Sequence, residues 1–152
     1  MPLDEPDKIP GELLAAKILM VLSASIVFMF GILHLFYTFW GSNLTPRDHA
    51  LQISMSQISP FITNETTMWQ CWVGFNASHG MGLILFGLVF GFLALVHDQL
   101  LFHSPFLLAV GLAMLGSLVV LCKVYFFTLP LIGISISSVC YIASIVISQL
   151  YE

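Results

Sequence analysis

The sequence predicts an all-α integral membrane protein: a four-helix transmembrane bundle with a short interfacial helix in its first loop, built as one domain over residues 1–152. Three observations predict it. Only 8% of the residues are charged and 59% are hydrophobic, whereas a soluble domain carries about 25% charged residues. So few charges cannot cover a water-facing surface. Four apolar segments each reach about the 20 residues that a helix needs to cross a bilayer. Aromatic residues gather at one end of these segments, as they do where a membrane meets water.

The chain opens on a polar arm, MPLDEPDKIPGE. Its charges are mainly acidic and the apolar run behind it exceeds the core of a signal peptide, so an uncleaved first span is expected. The spans are placed at 13–40, 68–96, 106–127 and 131–150. The first two are long enough to tilt or to project beyond the hydrocarbon. The breaks at His97 to Pro105 and Thr128 to Pro130 are short, so spans two, three and four run antiparallel to their neighbours. An even number of spans leaves both termini on one side.

Phe36, Tyr37, Phe39 and Trp40 close span one, Trp69 and Trp72 open span two, and Tyr125, Phe126 and Phe127 close span three. All lie on the side of loops one and three, which makes an aromatic belt. Loop one carries its own helix signal at 46–59. Thr45 offers a cap, Pro46 the first helical position and Asp48 an acidic first turn. Leu51, Met55, Ile58 and Ile62 then share a stripe, and Pro60 ends or kinks the helix. The result is an amphipathic helix on the membrane surface, a lid over the bundle mouth, or an ordinary connector.

Orientation rests on few charges. Lys8 and Lys17 lie on the terminal side, and Arg47 and Lys123 on the other. The positive-inside count is therefore a tie, and the first span places the termini in the cytoplasm. Asn43-Leu44-Thr45 and Asn64-Glu65-Thr66 match the glycosylation pattern, which is short enough to arise by chance.

Ionisable and strongly polar residues inside spans are rare and often functional. With a rise of 1.5 Å per residue, His34 lies about 10 Å from the middle of span one, His79 about 5 Å from the middle of span two, and Lys123 about 10 Å from the middle of span three. All three lie toward loop one. Span four adds Ser135, Ser137, Ser138 and Tyr141 from the same side. Helical phase agrees: Ser23, Val27, Gly31, His34 and Thr38 share a stripe. So do Trp72, Asn76 and His79, and so do Gly133, Ser137, Tyr141, Ser144 and Ser148. Small and polar stripes face other helices rather than lipid.

Three readings of this layer compete. One is a hydrogen-bond network among Asn76, His79 and His34, with Lys123 snorkelling to the interface. The second is a pocket for an amphipathic ligand, with Lys123 drawing an anionic head group and the imidazoles, Asn76 and Tyr141 bonding it. The third is metal: His34 and His79 as axial haem ligands, or Met29, Met68 and Cys71 as copper(I) ligands.

Catalysis has less support. No carboxylate lies within a span, so only Asp48, Glu65 or Asp98 from a loop could pair a histidine. Ser78 beside His79 points about 100° away on a helix. With four Lys and Arg and a net charge of −4, nucleic-acid binding is excluded. Cys71, Cys122 and Cys140 all lie in apolar segments, an odd set without paired spacing, and read as small buried hydrophobes. Gly80, Gly87 and Gly91 share a stripe, and Gly87 to Gly91 is a GxxxG, which brings helices close. Gly74, Gly80 and Gly82 flank Asn76 and His79, where a neighbour or ligand could approach the backbone. His49, His97 and His103 are expected in loops.

Gly31-Ile32-Leu33-His34-Leu35, then Thr45-Pro46, then Trp72-Val73-Gly74-Phe75-Asn76-Ala77-Ser78-His79-Gly80-Met81-Gly82 with Phe86-Gly87, resemble a group of small bacterial four-span membrane proteins of unknown function. The second-span segment is the specific part. The resemblance implies a four-helix membrane fold in a bacterial cytoplasmic membrane and singles out His34, Asn76 and His79; it implies no activity. Four-span glutathione- and eicosanoid-type enzymes are similar in size, but their basic and acidic intramembrane residues are missing here.

The expected function is therefore non-catalytic and without a cofactor: an accessory or assembly subunit among other membrane-protein subunits, or a self-associating bundle. The alternative is an intramembrane binding protein for an anionic lipid-like ligand, haem or copper, using His34, Asn76, His79, Lys123 and Tyr141.

Overall fold

The computed structural model describes residues 10–150. The start of the N-terminal arm, with Lys8, lies outside the described residues. Six helices follow in order: α1 Pro10–Phe39, α2 His49–Gln57, α3 Met68–Val96, α4 Asp98–Phe102, α5 Pro105–Tyr125 and α6 Thr128–Leu150. No strand occurs among the described residues. α1, α3, α5 and α6 are long and apolar enough to cross a membrane. The fold is all-α, and the protein is an integral membrane protein. Leu14, Ile18, Leu85, Phe92, Val139 and many similar side chains are exposed, as lipid-facing surfaces require.

The chain divides into two compact units, and the division runs through α1 and α3. The larger comprises Met1–Phe28 with Leu85–Glu152 and takes segments of all four long helices. It is a four-helix bundle in its own right. Within it, Ser144 donates to the carbonyl of Ala16 at 2.6 Å, and the hydroxyls of Ser23 and Ser137 meet at 2.8 Å. Seven residues up α1 match seven residues down α6, so the two helices are antiparallel in a heptad register. Met20 and Val27 fill the same seam, fully buried.

The small residues of α3 decide how closely α1 approaches. A Cβ on Gly87 would lie 2.8 Å from the carbonyl of Ala24 and 2.5 Å from the Cβ of Phe28. The neighbouring Gly91 meets only an ordinary contact at 3.7 Å. The GxxxG therefore works inside the chain, mainly through its first glycine.

The short break expected after span two contains a helix. α3 ends where His97 leaves helical geometry, and α4 turns Leu101 and Phe102 into the core of this unit. Gln149 donates to the Phe102 carbonyl at 3.1 Å, and Lys17 pairs with Asp98 at 3.3 Å. α5 then starts on Ser104, whose hydroxyl accepts from the Leu107 amide, with Pro105 at the first helical position.

The smaller unit, Met29–Ile84, is a helical hairpin: the end of α1, loop one with α2, and the start of α3. Here Gly31 packs on Gly80, where a Cβ would come within 2.8 Å of the Gly80 carbonyl and the Ile84 amide. α3 begins with a reciprocal cap. The Gln70 amide donates to the Thr67 hydroxyl, and the Gln70 side chain accepts from the Thr67 amide at 3.0 Å. This is a capping box.

α2 is shorter than the 46–59 expected. Asp48, not Thr45, caps it, accepting from Ala50 at 2.9 Å. The Thr45 hydroxyl is turned back to the Ser42 carbonyl at 2.6 Å. The helix stops at Gln57 because Ile58 is extended, so Ile58 and Ile62 leave the expected stripe. His49 lies in the first turn of α2 rather than in a loop.

Candidate functional site

Three of the sequence-predicted residues come together in the hairpin. Thr38 and His34 lie one turn apart on α1; the Thr38 hydroxyl bonds the His34 carbonyl at 2.7 Å. Asn76 and His79 lie one turn apart on α3. His34 Nε2 lies 3.1 Å from the amide oxygen of Asn76. The His34 and His79 rings meet edge to face, with centroids 4.9 Å apart. Asn76 is 8% exposed, and both histidines are half-buried.

The direction of the central bond follows from its neighbour. The Asn76 amide nitrogen donates to the carbonyl of Trp72 at 2.8 Å. A carbonyl only accepts, so the amide nitrogen faces Trp72 and the amide oxygen faces His34. That oxygen needs a donor, so His34 carries its proton on Nε2.

Trp72 extends the chain of contacts. Its indole donates to the carbonyl of Leu44 at 2.8 Å, tying α3 to loop one. A small cleft lined by Tyr37, Thr38, Val73 and Asn76 meets a larger open groove at Leu44, Thr45 and Trp72. The groove, about 370 Å³, is roofed by Leu51 and Met55 of α2 and edged by Asn43 and Pro46. Its lining is mostly apolar, with Asn43 and Thr45 among the polar residues.

Tyr141 and Lys123 belong to the larger unit. Tyr141 is fully buried there. Its hydroxyl donates to the Leu108 carbonyl at 3.1 Å, and its ring meets Phe90 edge to face. Gly111 makes room for it: a Cβ there would run into the Tyr141 ring. Depth along a span groups Tyr141 with the histidines; its hydroxyl proton goes to the backbone of α5. Ser137 is likewise spent on Ser23. Lys123 is exposed in the last turn of α5.

The metal expectation can be compared with this geometry. Haem iron held by two imidazoles needs a ring nitrogen from each and a macrocycle between them. Here the rings touch, and Nε2 of His34 is engaged as a donor. The two histidines as arranged do not fit that site. Met29 and Met68 are exposed rather than turned toward a shared centre. Among the described residues, no three of His, Cys, Asp and Glu come together. Of the groups considered for catalysis, Asp98 is engaged by Lys17, Asp48 caps α2, and the Ser78 hydroxyl is turned to the Phe75 carbonyl at 2.9 Å.

Sequence reasoning missed two contributors to the site, the Trp72 to Leu44 bond and the Thr67/Gln70 cap beneath it. The second had a readable signal in Thr67-Met68-Trp69-Gln70. No protein-family model, no curated protein and no solved structure matches this chain.

Proposed function

We propose that the chain is a non-catalytic subunit of the membrane, an accessory or assembly component or a self-associating bundle, of the kind suggested by its resemblance to small four-span bacterial proteins. In this reading it resides in a bacterial cytoplasmic membrane with its termini in the cytoplasm. The observation that carries it is the use of the intramembrane polar groups. Ser23, Ser137, Ser144, Tyr141, Asn76 and His34 are engaged in helix-to-helix bonding. Such bonds hold helices together and perform no chemistry.

α5 carries a face that would suit such a partner. Ala109, Ala113, Gly116 and Ser117 are exposed, and a Cβ on Gly116 would meet nothing within 4 Å. The Ser117 hydroxyl turns back to the Ala113 carbonyl at 2.7 Å, which leaves a low, small-residue surface that another helix can approach closely. The test is purification from native membranes in mild detergent. A second copy or a distinct membrane protein should accompany the chain, and Gly116→Leu should remove it. Recovery of the chain as a lone monomer overturns the reading.

A second reading is favoured by the groove beneath α2. Its mostly apolar lining, with Asn43 and Thr45, suits one amphipathic molecule, and Asn76, which bonds His34, lines the adjoining cleft. Mass spectrometry of gently purified protein tests it. A retained amphiphile lost on Trp72→Ala supports this reading, and protein free of any retained molecule sinks it.

A further inference from the structure

We propose that the turn carrying Phe61 and Ile62, with the outward side of α2, is a membrane-interface anchor that inserts into the headgroup and acyl boundary of the bilayer crossed by the spans. Phe61 is fully exposed and Ile62 is 90% exposed. They are adjacent, and both sit in a tight turn closed by the Thr63 amide on the Pro60 carbonyl at 3.2 Å. Two large apolar side chains held out by a closed turn are a feature of a surface that meets something apolar.

The depth of the turn says what that is. The carbonyl of Ile58 accepts from the amide of Met68 at 2.8 Å. Met68 is the first residue of α3, a membrane-spanning helix, and Trp69 and Trp72 follow it at the level where aromatic residues meet headgroups. The bond therefore holds the end of α2 at the mouth of the span, and the turn begins two residues later. Ile53 on α2 and Ile58 just past its end are exposed as well, and α2 has no buried residue. α2 itself contains no Lys, Arg, Asp or Glu, and loop one sets Arg47 against Asp48 and Glu65. With no excess of positive charge, apolar contact rather than attraction to anionic lipid must hold this surface down.

The partner is thus the lipid of the same membrane. The inference needs only that the spans cross a bilayer. It does not depend on the subunit reading, and either can fail without the other.

The experiment places the full chain alone in phosphatidylcholine vesicles. Phe61→Cys and Ile62→Cys each leave the other side chain as an anchor, and Glu65→Cys supplies a water-facing reference in the same loop. The unsubstituted chain gives the background from Cys71, Cys122 and Cys140. A membrane-impermeant maleimide, which needs a hydrated thiolate, should react at 61 and 62 about tenfold more slowly than at 65. The difference should vanish in sodium dodecyl sulfate. Equal rates at all three positions in vesicles overturn the proposal. They would mean that the turn stands in water or awaits a protein other than this chain, because no other protein is present.

Discussion

The imidazole of His34 donates from Nε2 to the amide oxygen of Asn76 at 3.1 Å, and the sense of that bond is set by Trp72, whose carbonyl takes the Asn76 amide nitrogen. A backbone carbonyl on α3 thereby decides the tautomer of a side chain on α1. Nitrogen-15 spectra of the His34 ring should show the proton on Nε2. Asn76→Leu should abolish that preference. A ring protonated on Nδ1 in the unsubstituted protein would contradict the arrangement.

The same pair should couple in stability. Interhelical hydrogen bonds in membranes average about 0.6 kcal/mol and reach about 1.7 kcal/mol. A double-mutant cycle of His34→Leu and Asn76→Leu should return a coupling of that size. Values near zero would mean that the two residues are neighbours without a bond.

The glycines make a sharper contrast. Gly31→Ala and Gly87→Ala each drive a Cβ against backbone atoms 2.8 Å away, Gly80 and Ile84 in one case and Ala24 in the other. Backbone cannot rotate aside, so the helices must part, and each change should cost about 1–3 kcal/mol. Gly74→Ala and Gly116→Ala meet open space and should be neutral or slightly stabilising, since alanine favours the helix by up to about 1 kcal/mol. Reversible unfolding in mixed micelles separates the two groups.

Tyr141→Phe keeps the ring against Phe90 and removes only the bond to Leu108. Its cost should be about 1 kcal/mol. Tyr141→Ala loses the packing as well, and removing a large buried aromatic side chain costs about 3–5 kcal/mol. The gap between the two changes, read in the same unfolding assay, measures packing against bonding at this position.

The Lys17–Asp98 pair should matter little. Its side chains are 28% and 22% exposed, which admits enough water and salt to screen it. Asp98→Asn should cost less than about 1 kcal/mol and less still at high salt. Leu101→Ala, three residues further into α4 and fully buried, should cost about 2–5 kcal/mol. α4 is held by its apolar residues.

Much of this architecture was legible from residue order. Span two was expected at 68–96 and is α3, Met68–Val96, because uninterrupted apolar length is a direct statement about lipid. Helical phase put Ser23, Gly31 and His34 on one inward stripe, and it put His34, Asn76 and His79 within reach of each other. What phase and depth could not supply was the acceptor. Tyr141 was grouped with the histidines because both are polar, yet its partner is the carbonyl of Leu108, a group every residue carries and no sequence pattern marks. α4 escaped for a related reason: five residues are too few for periodicity to show. At the start of loop one the signal was present but ambiguous. Thr45 and Asp48 both have capping side chains, and the turn at Ser42 claimed the first of them.

Three helix-to-helix bonds of the larger unit run from side-chain donors to main-chain acceptors: Ser144 to Ala16, Ser137 to Ser23 and Tyr141 to Leu108. Tolerance to mutation is therefore lopsided across each contact. At the giving end, the identity of the residue is the bond. At the receiving end, any residue but one too large or too small for its space supplies the same carbonyl. Saturation libraries at Ser144 and Ala16 should look unlike each other: the first selective for a hydroxyl, the second selective only for volume. A chain held together in this way can drift freely along one side of its helix contacts while its shape stays fixed.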